Sequence, residues 1–415
     1  MKKFRKNVYL CCGYNTISLG TGRKEFHPKK PRPGIEHYIQ EAGRGVVAQI
    51  PSAELIDECV IGNFMAARFN RQGNLAGLMP TIDSALLYKP CTRVEGACGS
   101  GGLAVYTAIK SILAETADVV LTLGVEVQNT VKAIYGADIL AGAGHYAGER
   151  KKGHAYFFPG QFSDRAGAYQ EKYGKDFARK GMAHWYVQAI EHARRCPQAQ
   201  EYHNTNPDLL GAAMTPPNPK VFVDNLNVYD CSKVSDGASA LIVCSEEGLK
   251  KLGIPKEKAA VVAGFGQSEG DLTAPPPDPC ELTTSKRSVA KAYEMAGITV
   301  KDIGVLEVHD CFTISGLLSL EATGVVQPGE APDFVAEGKS RIDGEMPTNC
   351  SGGLVGFGHF TGGTGVRQAV DLMWQVTGRA GDWQAKMDPN RPFGLMISMG
   401  GNDKTVSAMI LKKAE

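Results

Sequence analysis

Apolar runs broken by turn residues alternate with stretches of helical periodicity over the first 127 residues. Residues 7–14 and 58–63 read as strands and 36–48 as a helix. Residues 90–94 are extended and enter a turn of small residues around Cys98. Beyond that turn Ala104, Ala108, Ile109 and Ile112 recur at helical spacing, so the helix can bury one face. The mainly apolar run at 117–127 fits a strand buried on both sides. Strand, helix and strand at this spacing is the pattern of a layered α/β fold.

The texture changes between 128 and 224. His145, His154, Tyr156, Phe157, Phe158, Pro159 and Phe162 crowd one stretch; helical spacing follows at 164–173 and 177–195. Pro207, Pro216, Pro217 and Pro219 close the segment. It is expected to be an inserted loop domain folded over the main sheet, since long insertions in compact α/β proteins usually serve function. The pattern resumes with strands at 238–244 and 259–265, a helix at 285–296, a strand at 305–309 and a helix at 315–321. A proline-rich stretch at 271–279 reads as a rigid loop.

Near the end of the chain, Asn349-Cys-Ser-Gly-Gly-Leu echoes Ala97-Cys-Gly-Ser-Gly-Gly-Leu. A helix at 364–376 and a strand at 393–399 then repeat the unit around Cys98, which suggests a duplicated fold. The expected division is an N-terminal half made of 1–127 and 225–265, an insertion at 128–224, and a C-terminal half at 266–415.

Composition narrows the function without choosing one. A chain of 415 residues can bury two or more domain-sized cores. Its formal net charge of +1 gives no reason to expect nucleic acid or an acidic membrane as partner. The 11 cysteines lack disulfide spacing and form no CxxC, which favours reduced thiols and a cytoplasmic location. The basic start at 1–6 precedes an apolar run too short for a signal peptide, and no stretch is long and apolar enough to span a membrane.

The candidate chemistry lies in four clusters. Cys98 sits where a helix begins; the first amides there lack intrahelical partners and their partial positive charge favours a thiolate. A buried core cysteine is the competing reading. His309 and Cys311 lie two apart where a strand ends, His359 lies in a glycine loop ahead of a helix, and Gly400 and Gly401 lie in a turn after a buried strand. A thiol with two histidines is the raw material for nucleophilic catalysis, with an imidazole accepting the thiol proton and glycine-turn amides stabilising an oxyanion. Metal binding competes for the same residue types, but only His309 and Cys311 have ligand-like spacing, and two ligands do not make a site. No GxGxxG or P-loop pattern occurs.

Taken in order, the Cys98 turn, Ser235-Asp-Gly-Ala238, His309-Asp-Cys311-Phe312 and the His359 loop run nearly end to end. This ordered set resembles the thiolases, in particular the sterol-carrier-protein-2-type and archaeal branch. The resemblance implies a five-layered αβαβα fold of two similar halves with an inserted loop domain, assembled as a homodimer or a dimer of dimers. It implies an acyltransferase with coenzyme A as substrate and no metal in this chain. Such an enzyme cleaves a β-ketoacyl-CoA with CoA or runs the reverse Claisen condensation.

Carried over by residue, the family pattern makes Cys98 the nucleophile and His359 its base. His309 orients a water or donates to the thioester oxygen, and Cys311 handles the proton at the α-carbon. The backbone amides of Cys98 and Gly400 would form the other oxyanion hole. Ser398 stands where many thiolases have Cys, and Phe360 where the loop usually has Pro. Phe360 is expected to reshape the acyl pocket toward aryl or branched groups larger than acetoacetyl. The pattern also admits a thiolase-like retro-aldol lyase or a non-catalytic scaffold, although such lyases tend to have lost the nucleophile. Thiolases of this branch are often found with a small zinc-ribbon/OB-fold subunit, for which the proline segments at 207–219 and 271–279 are the expected docking surfaces.

Overall fold

Nine strands carry the fold: β1 Tyr9–Asn15, β2 Glu58–Gly62, β3 Cys91–Val94, β4 Val119–Val127, β5 Asp236–Cys244, β6 Ala260–Glu269, β7 Ile303–Glu307, β8 Phe393–Gly400 and β9 Thr405–Lys413. The main helices are α1 Ile35–Val47, α2 Ser100–Leu113, α3 Phe157–Tyr173, α4 Lys175–Ala193, α5 Thr283–Ala296, α6 Thr313–Thr323 and α7 Thr364–Thr377. This is a computed structural model that describes residues 5–150 and 153–415, so most of the basic N-terminal stretch lies outside the described residues.

The strands follow the order β3-β2-β4-β5-β1-β6-β9-β8-β7. Only Tyr9↔Val261 and Leu10↔Ala260 join β1 to β6. Side-chain alternation feeds the faces of the strands into separate cores. Leu10, Val60, Val120 and Leu241 from one side of that join meet Val262, Met396, Met409 and Leu411 from the other, with α2 and α7 between them. On the opposite faces, Ile61, Leu121 and Leu123 pack against Ile39, Ala42 and Val46 of α1. Leu395, Ile397 and Ile410 pack with Val289 and Ala292 of α5 and Leu317 of α6. Helix, sheet, helix, sheet, helix gives the five αβαβα layers.

The sequence echo extends to topology. β2 runs parallel to β4 and β7 parallel to β8; each pair continues through two antiparallel partners, β5 and β1 in one case, β9 and β6 in the other. β3 lies parallel to β2, and Thr348 makes the equivalent parallel bridge to Leu306 of β7. The residues before the two echoing cysteines, Ala97 and Asn349, both adopt left-handed backbone, with φ of 55° and 53°.

Two elements depart from the sequence pattern. α3 begins at Phe157 rather than at 164, because Pro159 occupies its first turn, where a missing N–H costs no helical hydrogen bond. β9 was not expected. Its Ser407 is buried within the sheet, and that polar residue breaks the apolar pattern by which a central strand is recognised.

The two central helices touch through glycine backbone. A Cβ on Gly101 would lie 2.7 Å from the amide nitrogens of Gly365 and Val366, and one on Gly365 would lie 2.1 Å from that of Gly102. Gly365→Ala therefore forces the two helix starts apart. Overpacking of this kind costs about 1–3 kcal/mol, so thermal unfolding of this variant should begin at a clearly lower temperature. An unchanged melting temperature would contradict the close contact.

Candidate active site

Cys98 lies in the turn Ala97–Gly99 that feeds α2. Ser100 closes this turn, its Oγ accepting from Gly96 N (3.0 Å) and donating to Ala97 O (2.6 Å). His309 and Cys311 follow the end of β7, His359 precedes α7, and Gly400 ends β8. The fold brings all of them together. The Cys98 sulfur and a ring nitrogen from each of His309 and His359 lie within 4.8 Å of one another. The two imidazoles meet edge to face with centroids 5.2 Å apart. Cys311 is buried, its Sγ 3.5 Å from Ser315 Oγ, and negative charge on it would be felt at Cys98. Gly400 packs on the Cys98 turn so closely that an added Cβ would lie 2.1 Å from Gly96 O. The amides that favour a thiolate at Cys98 are its own and that of Gly401, the residue after Gly400.

Hydrogen bonds assign the imidazole tautomers. Thr364 Oγ1 donates to Phe360 O (3.2 Å), so at 2.8 Å it accepts from His359 Nδ1–H. His359 Nε2 is then a lone-pair acceptor, and it has no partner in its buried position. His309 is the reverse: its Nδ1 accepts from Met399 N (3.3 Å), which leaves the proton on Nε2. The site thus pairs one acceptor imidazole with one donor imidazole beside a thiol. Cys98, His309 and His359 are also spaced to hold a metal ion. A metal on His309 Nε2 would move the proton to Nδ1, against the Met399 N–H, so the hydrogen bonding favours a donor over a ligand.

Burial governs the protonation states. Desolvation, followed by Cys311 and Glu126, pushes the Cys98 thiol up, and the two amides only partly offset this. Burial pushes Cys311 up to about 12. Burial and then the Arg367 guanidinium lower His359 to about 3; burial, His359 and Arg367 hold His309 well below its usual range. The resting site is a neutral thiol facing neutral imidazoles. The thiolate expected from the helix start does not form, because desolvation outweighs the partial charge of one helical turn.

Several supporting residues escaped the sequence reading. The Glu126 carboxylate accepts from Asn63 Nδ2 (3.0 Å), Phe64 N (3.0 Å), Met65 N (3.2 Å), Thr361 Oγ1 (3.1 Å) and Gly362 N (3.2 Å). It ties the end of β2 to the His359 loop, and its signal was a lone acid inside an otherwise apolar strand. Gln128 Nε2 donates to His359 O (2.7 Å), and His359 N donates to Ser235 Oγ (3.0 Å). Phe360 corrects an expectation. Its ring is wholly buried in the central core, 6.3 Å from Phe357 and over Gly237 and Gly363, so it packs helix against sheet rather than shaping an acyl pocket. Phe64, Ala97 and Ala143, with Met65, Leu140 and Phe158 against them, form a small separate apolar cluster that includes the residue before Cys98.

Residues 35–247 match the thiolase N-terminal domain and 269–413 the thiolase C-terminal domain-like family. An acetyl-CoA acetyltransferase of Methanothermobacter thermautotrophicus is 31% identical over 90% of this chain and 94% of its own. Among solved structures, an Ltp2-ChsH2(DUF35) aldolase superposes with a TM-score of 0.78 at 22% identity, covering 98% of each chain. Human mitochondrial 3-ketoacyl-CoA thiolase in complex with CoA superposes with a TM-score of 0.70 at 17% identity, covering 99% of each. The chain belongs to the thiolase family. It is an enzyme of the acyltransferase class. Among the described residues no helix is long and apolar enough to cross a membrane.

The protonation states predict how Cys98 responds to pH. With His359 neutral at any pH well above about 3 and the Cys98 thiol raised, no thiolate–imidazolium pair exists at neutral pH. Alkylation of Cys98 by iodoacetamide should therefore keep accelerating as pH rises from 6 to 9. A rate that is already level across this range would mean a preformed thiolate.

Proposed function

We propose that this chain is a CoA-dependent thiolase that works through an acyl-Cys98 intermediate. The observations that carry this reading are a His359 ring nitrogen within 4.8 Å of the Cys98 sulfur and a His309 nitrogen, and a buried His359 Nε2 with no hydrogen-bond partner. His359 Nε2 takes the thiol proton as the Cys98 sulfur attacks the 3-keto carbon of a β-ketoacyl-CoA. His309 Nε2–H donates to a developing oxyanion, and the amides of Cys98 and of the Gly400–Gly401 turn serve the other one. As the C2–C3 bond breaks, Cys311 protonates the departing α-carbon and acetyl-CoA leaves. The Cys311 thiolate then takes the proton of an incoming CoA thiol, whose sulfur accepts the acyl group. Cys98 recovers its proton from His359. Run backwards, the same steps are a Claisen condensation, with Cys311 removing the α-proton.

The apolar cluster of Phe64, Met65, Leu140, Ala143 and Phe158 suits an apolar acyl group larger than acetyl, branched or aryl. A coupled assay across acetoacetyl, branched and aryl β-keto thioesters ranks them by kcat/KM; a sole preference for acetoacetyl-CoA would contradict the larger pocket. The second reading, a retro-aldol lyase, is favoured by the aldolase among the structural neighbours. It needs no acyl-enzyme, so the two readings separate on Cys98.

The assembly we propose is a homodimer or dimer of dimers that recruits a small zinc-ribbon/OB-fold subunit. The edge strand β3 and the neighbouring Leu87 and Tyr88, the latter 99% exposed, suit contact between copies. Leu210, Met214 and Val221 are exposed around the 207–219 segment and suit the small subunit. A cytoplasmic location fits the free cysteines.

Cys98→Ala should abolish thiolytic cleavage of a β-ketoacyl-CoA while the protein stays folded. His359→Ala should lower the rate by about two to four orders of magnitude, the range for a lost general base. Retention of cleavage by Cys98→Ala would exclude the acyl-Cys98 intermediate, whereas CoA-independent cleavage of a β-hydroxyacyl-CoA would support the lyase.

A further inference from the structure

Helix α4 lies outside the reacting atoms, yet one of its faces is buried and polar. Trp185, Gln188 and His192 share that face at i, i+3 and i+7, and Arg179 is buried on another side of the helix. Trp185 reaches the chain between His309 and Cys311 directly, and Arg179, Gln188 and His192 reach its packing neighbours Asp230, Thr348 and Asn349. Trp185 Nε1 donates to Asp310 Oδ2 (2.9 Å), and the other carboxylate oxygen accepts from Leu354 N (2.7 Å). Arg179 makes a two-pronged pair with Asp230 (2.7 and 2.5 Å), which also accepts from Thr313 Oγ1 (2.6 Å). Gln188 Nε2 donates to Thr348 O (3.3 Å).

His192 Nε2 accepts from Ile342 N (3.1 Å), so its Nδ1–H donates to Asn349 O (3.1 Å). The Asn349 side chain in turn holds Val308 through both its N–H (2.7 Å) and its carbonyl (3.1 Å). Residues 308, 310 and 313 are thereby pinned around His309 and Cys311. The Trp185 ring itself rests where Gly316 leaves room; a Cβ there would lie 2.3 Å from it.

We propose that α4 is a positioning element for the proton transfer at the α-carbon, with Trp185 acting through Asp310 to aim Cys311 and His309. This rests on the thiolase reading above. The Cys98 turn and the His359 loop are held by other partners, Ser100 and Gln128 among them. Loss of the Trp185 link therefore loosens one step and not the other. Asp310 is the chief acceptor of that link, and its two oxygens take two N–H donors, a role an amide cannot fill.

The test uses Trp185→Phe, which removes only the N–H donor and some ring volume, and the isosteric Asp310→Asn. Two rates are read on the same full-length protein, with thermal unfolding as the control for folding. One is acylation of Cys98 by acetyl-CoA, followed by intact mass. The other is exchange of the acetyl-CoA α-protons with D2O, followed by NMR. Misplacement of a catalytic group by about 1 Å costs roughly 100-fold, so exchange should fall by about 10- to 100-fold while acylation stays within about twofold of wild type. Equal loss of both rates, or loss of neither, would overturn the proposal while leaving the thiolase reading intact. Absence of acylation in the wild type would remove that reading, and this inference with it.

Discussion

The contact between the starts of α2 and α7 is the constraint on which the molecule turns. Each helix is led into by a turn that carries a residue of the proposed site, Cys98 two residues ahead of α2 and His359 five ahead of α7. Their amides meet at Gly101, Gly102 and Gly365 with no room for a β-carbon. Everything outside this contact supports it: the sheets on either side fill the central core, and Glu126 and Gln128 clamp the His359 loop from β4 and the residue after it. A thiol and an imidazole from chain positions more than 250 apart are thereby placed with little freedom left to lose at the moment of reaction.

Desolvation decides how that contact can be used. A half-buried, poorly solvated thiol beside a buried imidazole stays neutral, and the Arg367 cation behind the histidines reinforces their neutrality. The proton then moves only as the sulfur attacks and amides take up the charge on the substrate oxygen. Two tautomers fixed by Thr364 and by the Met399 amide give one imidazole that accepts and one that donates. In the mechanism proposed above, general base and oxyanion donor are thus set by hydrogen bonding of the far ring nitrogens, before any substrate arrives.

Much of this was legible in the chain. The turn around Cys98, the strand-end pair His309 and Cys311 and the glycine loop at His359 carried their own chemistry. The echo at Asn349 foretold a topology repeated down to the left-handed residue before each cysteine. Three kinds of feature were hidden. Ser407 broke the apolar signature of β9, and the helix around Pro159 was read as starting at 164 when it starts at Phe157. Phe360 drew attention as a pocket residue, whereas its neighbours Gly237 and Gly363 receive it into the core. The protonation state of Cys98 was misjudged for a related reason: the helix start is local and visible in sequence, but the depth of burial is a property of the whole fold.

The account stands most directly on which sulfur becomes acylated. The described structure holds 11 free cysteines, ten of them with no assigned covalent role. The measurement is to incubate the protein with a β-ketoacyl-CoA, quench in acid, digest, and map the thioester by mass spectrometry. The account predicts the acyl group on Cys98 alone, and its removal when CoA is added before the quench. An acyl group on Cys311, or turnover with no acylated cysteine at all, would contradict it.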